Sequence, residues 1–170
     1  MDETTSHAGR LLVATPLIGD GTFHQTVVHL IAHSDEGAFG VILNRPSDTP
    51  AHEVLVGWGA RAAAPGVVFV GGPVDGDTVV GLGVDGSVDL QADPDEVPDA
   101  PEEVRLFAGR AGWGPGQLEE ELGQQAWWVV DAAPGDLLTR DPAGLWQRVL
   151  RRQPRPTAWY ANYPDDLRTG

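Results

Sequence analysis

GRLLVATPLIGDGTFHQTVVHLIAHSDEGAFGVILNRP, Gly9 to Pro46, carries three apolar runs separated by stretches of turn residues. Leu11 to Thr15 is too short for a helix and reads as a buried strand. Pro16 to Thr22, with Gly19 and Gly21 as breakers, reads as a turn. Thr26 to His33 is rich in β-branched residues and Phe39 to Asn44 is again apolar. Ser34 to Gly37 between them has hairpin-loop composition. The chain therefore opens on strands, and what precedes them, residues 1–9, is a polar tail expected to be flexible.

Further along, the period changes. Ala51, Val54, Leu55 and Trp58 sit at i, i+3, i+4 and i+7, which predicts a helix over Ala51 to Ala60 with Thr49 as N-cap and Pro50 at its first position. Val67 to Val70 and Thr78 to Val84 return to strand character, with Gly71-Gly72-Pro73 punctuating. Asp89 to Glu103 is acidic and broken by Pro94, Pro98 and Pro101. It reads as an exposed loop within the domain, with a partner-binding acidic motif as the alternative. Val104 to Ala108 reads as a strand, Gly109 to Gly116 as a glycine-rich turn, and Pro115 to Leu122 as a short helix ended by Gly123. Trp127 to Asp131 is a further strand. The last helix starts at Asp141-Pro142, buries Leu145, Trp146, Val149 and Leu150, and stops before Pro154. Short strands interrupted by a few short helices predict a single α+β domain over residues 1–170.

Charge limits the functions available. The formal net charge is −14, from 25 acidic and 11 basic residues. Phosphate backbones repel such a chain at long range, so direct nucleic-acid binding is not expected. All the basic residues are arginine, which excludes a Walker phosphate loop, a Schiff-base lysine and a Ser–Lys dyad. The absence of cysteine excludes disulfides, thiolate metal sites and cysteine nucleophiles. No secretory signal pattern opens the chain and no apolar run approaches the roughly 20 residues of a membrane span. The expected location is the cytoplasm.

Three blocks carry a resemblance. Gly9 to Pro46 has a strand, a Pro…Asp…Phe turn, a paired strand, then Gly-Ala-x-Gly and Asn-Arg-Pro. VFVGGPV spans Val68 to Val74, and RLFAGRAGWGPGQLEEEL spans Arg105 to Leu122. In this order the blocks resemble the AlgH/YqgE family of small bacterial proteins, from about Gly9 to Trp159. The resemblance implies a bent mixed β-sheet folded into a partly closed pseudo-barrel with flanking short helices. Members are often labelled transcriptional regulators, but this chain has no recognisable helix-turn-helix. It departs from the family's pattern at Arg110, where relatives usually have tyrosine, and in its ending, Tyr163 to Gly170.

Candidate site residues follow. His24, His29 and His33 would suit a metal only if their segment were helical, since residues four apart on a strand lie about 13 Å from each other; no metal site is expected. Arg148, Arg151, Arg152 and Arg155 are read first as cations favoured at a helix C-terminus. In Ala108 to Gln117, glycines and a following helix start could expose N–H groups which, with Arg110, Trp113 and Gln117, would hold a phosphate or carboxylate. Asn44-Arg45, Gly71-Gly72 and Gly109 to Trp113 each follow an apolar strand. If those strands share a direction the turns meet on one rim, and Arg45, Gly72 and Trp113 share a cleft; three independent turns that serve the fold are the alternative. The expected function is a non-catalytic binding or regulatory domain acting through a protein partner or a small anionic ligand, without cofactor. The alternatives are a transcriptional regulator or an enzyme of unrecognised type.

Overall fold

Leu11–Ala14 (β1) is buried along its whole length because it is covered on both faces. Leu11 and Val13 join one apolar cluster and Leu12 and Ala14 the other, as the two-residue period of a strand requires. Val27–Ser34 (β2) and Gly37–Ile42 (β3) form the predicted antiparallel hairpin beside it, with a bulge between Leu30 and Ala32. The computed structural model describes residues 6–17 and 23–162. Part of the Pro16 to Thr22 turn (18–22), the start of the tail (1–5) and the ending (163–170) lie outside the described residues. Ser6 to Gly9, from the remainder of the tail, are tied to β2. Ser6 Oγ donates to the His33 carbonyl and the Gly9 amide to the Leu30 carbonyl at 2.7 Å.

Pro46–Pro50 (β4) pairs irregularly with Val67–Val70 (β5) at one end of the sheet. Between them the single predicted helix is two four-residue turns, Ala51–Val54 (α1) and Val56–Gly59 (α2), interrupted where Leu55 is extended. Thr49 is not the cap; Pro50 holds that position without a side-chain bond. The predicted apolar face is only partly used, since Ala51 and Trp58 are buried but Val54 is exposed. Val74–Gly83 (β6) starts four residues earlier than Thr78 and makes a hairpin with Gly86–Val88 (β7).

Arg105–Trp113 (β8) is the main correction to the sequence reading: Gly109 to Trp113 is not a turn but the second half of a strand. Its first half pairs parallel with β5 and antiparallel with β6, and its second half pairs antiparallel with β3. Gly109 has φ +75°, and beside it the β6 pairing slips between Val74 and Val79. A left-handed glycine at a register slip bends a strand without ending it. Gln117–Gly123 (α3) follows, then Trp127–Val130 (β9), which pairs with β1. Leu145–Arg151 (α4) buries the predicted Leu145, Trp146, Val149 and Leu150. Pro142–Gly144, expected as its first turn, is a separate 3-10 turn.

The strand path is β4-β5-β8-β3-β2-β1-β9, with β6 and β7 branching from β8. It is mixed, bent at β8 and not closed, with four short helices: an α+β fold. Core residues of α4 lie against one face with Phe69 and Phe107, and Leu118 of α3 lies against the other with Trp113 and Trp127. A third cluster gathers Trp58, Val68 and Leu106. The acidic stretch is anchored to this end. Pro94 is buried, Trp58 Nε1 donates to the Ala92 carbonyl at 2.8 Å, and Arg61 Nη1 donates to the Pro101 carbonyl at 3.0 Å.

Candidate functional site

Of the seven residues singled out from the sequence, Arg110 and Trp113 line one depression, together with His33, Glu36, Phe39 and Val74. Arg110 forms an ion pair with Asp75 at 2.9 Å, and its guanidinium lies 5.0 Å from the Phe39 ring centre. Trp113 is buried and donates to Glu121 Oε1 at 2.9 Å. The same oxygen accepts from Trp127 Nε1 at 2.8 Å, while Gln117 bonds Glu121 Oε2 and the Gly114 amide. Glu121 thus fastens two tryptophans, and Glu119 fastens a histidine.

The other candidates are drawn into the backbone. Asn44 is buried; its Oδ1 accepts from the Val27 amide at 3.0 Å and its Nδ2 donates to the Gln25 carbonyl, closing the entry to β2. Arg45 donates to the carbonyls of Asn44 and His24. Gly71 bridges β3 and β8: its carbonyl accepts from the Ile42 amide and its amide donates to the Ala108 carbonyl, both at 2.8 Å. Gly72 lies so close to Arg110 and Ala111 that a Cβ would overlap their backbone. The backbone thus brings Gly71-Gly72 against β8. The shared strand direction holds for β5 and β8 only, because β3 runs antiparallel to β8.

His29 and His33 lie on β2, the strand that the β-branched composition of their segment predicted. His33 has a set of contacts that no sequence pattern announced. Its Nδ1 accepts from the His7 amide at 3.0 Å, so Nε2 carries the proton it shares with Glu119 Oε2 at 2.7 Å. The His7 ring stacks on it at 5.5 Å. Together these contacts pin the segment before β1 across β2 and onto α3.

The pH dependence of stability follows from three groups. Burial pushes His29 below 6.5; burial and then the His33 and Arg10 charges do the same to His7. Each binds fewer protons folded than unfolded, so its contribution is complete above about 6.5 and is lost as pH falls through the folded value. For Glu119 desolvation, the largest single effect, opposes ionisation, but the His33 hydrogen bond, a backbone hydrogen bond and the neighbouring histidines together outweigh it and hold the carboxyl below 4.5. Its contribution disappears in more acid solution still. Thermal unfolding followed by circular dichroism should show Tm level near pH 8 and declining below about 6.5, with His29→Gln flattening the first part of the decline. A wild-type Tm that stays constant down to about pH 5 would contradict this assignment.

Two larger grooves lie at the other end. One, of about 910 Å³, runs between the β6–β7 hairpin and the acidic stretch. Apolar side chains of Trp58, Val84, Val97 and Leu138 line it beside Asp85, Asp89, Asp99, Glu102 and Glu103. The other, of about 730 Å³, lies between residues 134–141 and α4 and is lined by Arg140, Arg148, Arg151 and Arg152. Arg140, which pairs with Glu103 at 2.8 Å, lines both. Sequence reading had singled out three of these arginines, but not Arg140, because its approach depends on how the 134–141 segment folds back. Among the described residues no group of three His, Cys, Asp or Glu is placed to hold a metal ion.

A family model described as AlgH-like matches residues 11–158, nearly the whole chain. The chain belongs to the AlgH-like family. The UPF0301 protein of Streptomyces avermitilis is 45% identical, over 98% of this chain and 96% of its own. One from Thermobifida fusca is 43% identical, over 95% and 94%. Among solved structures, a Corynebacterium diphtheriae protein superposes with a TM-score of 0.87 at 32% identity, covering 96% of this chain and 95% of its own. The AlgH protein of Pseudomonas aeruginosa gives 0.68 at 27%, covering 96% and 98%. The expected family and fold class are therefore both found. No helix among the described residues is long and apolar enough to cross a membrane.

Proposed function

We propose that this AlgH-like protein is a non-catalytic binding or regulatory domain of the cytoplasm that works by docking a protein partner in the groove between the β6–β7 hairpin and the acidic stretch. The observation that carries this reading is the groove's composition: apolar side chains beside five carboxylates, with Arg140 as the one cation in the lining. Such a surface suits a basic segment that also offers an apolar anchor. The anchor supplies contact area, and the charges supply orientation and association rate. Val84, 56% exposed at the hairpin, is placed to meet such an anchor. Direct DNA binding is a poorer fit, since the overall charge is −14.

Charge reversal tests the reading. Asp85→Lys with Glu102→Lys changes two groove carboxylates; Asp48→Lys with Glu53→Lys makes the same change in net charge on exposed residues outside the groove. The proteins retained from native cell extract by the wild type should be lost on the first variant, by at least about ten-fold, and kept on the second. Equal retention by wild type and groove variant would sink the reading, as would a wild type that retains nothing beyond what the groove variant holds.

A further inference from the structure

In the arginine groove two of the four exposed guanidiniums are held by internal bonds. Arg148 spans two segments, donating from Nη1 to Asp141 Oδ2 at 3.0 Å and from Nη2 to Thr139 Oγ1 at 2.6 Å. Arg152 grips Asp136 with both of its terminal nitrogens, and Asp136 is itself buried and bonded to the Ala133 amide. These contacts fix the two guanidinium planes in place. With Glu103 on Arg140 counted, they leave four arginines against three carboxylates, and the buried Arg105 behind them raises the local excess to two positive charges in an acidic protein. Arg151 is exposed and has no carboxylate partner among the described residues.

A fifth cation lies behind the same turn. Arg105, 1% exposed, donates from Nη1 to the Thr139 carbonyl at 2.7 Å and from Nη2 to the Ala64 carbonyl at 2.6 Å. Its Nε has no partner, and none of its hydrogen-bond acceptors is a carboxylate. Burial, then the Arg140 charge, push its pKa down to about 10, so it stays charged at neutral pH. Its effect on Arg140 is mutual repulsion, which a bound anion would relieve. A buried, unneutralised cation keeps its field in the surrounding low-dielectric material far better than a surface charge does.

We propose that this groove is a binding site for a phosphoryl group carrying two negative charges, held by Arg140, Arg148 and Arg151. The excess charge matches a dianion, and preset guanidinium forks suit tetrahedral oxyanions in a way that mobile ammonium groups do not. The carboxylates and the short run of the groove disfavour a nucleic-acid backbone, which needs a continuous basic stripe. The site shares Arg140 with the acidic groove, but Arg148 and Arg151 lie outside that groove, and the inference stands whether or not a partner docks there.

The test uses the isotopically labelled full chain, titrated with inorganic phosphate, a dianion in mildly alkaline solution, at fixed ionic strength and followed by amide and guanidinium NMR. Saturable shifts confined to residues 134–141 and 145–152, with a midpoint below about 1 mM, are expected. Arg151→Glu, which touches no internal bond, should weaken binding at least ten-fold while leaving the rest of the spectrum unchanged. Succinate, a dianion with its charges on separate carbons, should bind more weakly. Non-saturable shifts, shifts centred elsewhere or an Arg151→Glu protein that binds like wild type would each overturn the site. Succinate binding as tightly as phosphate would overturn its assignment to phosphoryl groups.

Discussion

Arg105→Ala is expected to lower the unfolding free energy by about 3–5 kcal/mol, the sum of carbonyls left unpaired at roughly 1–3 kcal/mol each and a lost cation–ring contact. The guanidinium ties Thr139 and Ala64, from two distant segments, and lies 4.3 Å from the centre of the Phe69 ring. Removing it strands the carbonyls of the buried Thr139 and Ala63, while that of the exposed Ala64 can turn to water. Arg105→Met should cost less than alanine, because its side chain refills the space beside Phe69 without restoring the bonds. Arg105→Lys keeps the charge, but a single ammonium cannot reach both carbonyls in the fork geometry. Urea unfolding followed by far-UV circular dichroism gives the order directly: alanine lowest, methionine above it. An alanine variant within about 1 kcal/mol of wild type would mean that the segment around Thr139 is held by other contacts.

Gly72→Ala should cost about 3 kcal/mol, the upper end of the range for forcing extra volume into a packed site. At this position φ is +156°, and a Cβ would run into the Arg110 carbonyl group and the Ala111 nitrogen. Neither obstacle can turn aside as a side chain would. Arg110 is paired with Val74 and Ala111 with Gly40, so β8 is held from both sides at the point of contact. Gly123→Ala is the matched control, since an added Cβ there meets nothing within 4 Å. A Gly72→Ala midpoint equal to the control's would show that β8 can shift at this point.

The elements that could be read from the sequence are those whose local pattern and tertiary role agree. β1 is a four-residue apolar run because both faces are covered, and α4 shows its buried side at helical spacing. The misread elements are those where tertiary pairing overrides local preference. β4 begins and ends in proline, which reads as a turn, and it survives because it is the terminal strand of the path. β6 begins with an exposed Val-Asp-Gly-Asp stretch that carries no alternation. β8 looks like a glycine turn because Gly109 has a turn's φ, yet pairing with β3 and β6 continues past it. For the candidate site, composition supplied residue types only. It could not supply the side-chain directions that send Asn44 and Arg45 into backbone contacts, nor the folding back of residues 134–141 that brings Arg140 to α4.

The place of β8 in the chain has a consequence for biosynthesis. Among the described strands it alone bonds to β3, β5 and β6, yet it begins at Arg105, after all three. On a ribosome delivering about 5–20 residues per second, those strands emerge first and wait several seconds with the edges that will receive it unpaired. Unpaired edges recruit neighbouring chains, and trigger-type chaperones act on nascent chains in this state. A pause in translation before β8 has left the ribosome would lengthen that wait, and a later one would not. The yield of soluble protein should therefore depend on where slow codons fall, even when the encoded sequence is unchanged.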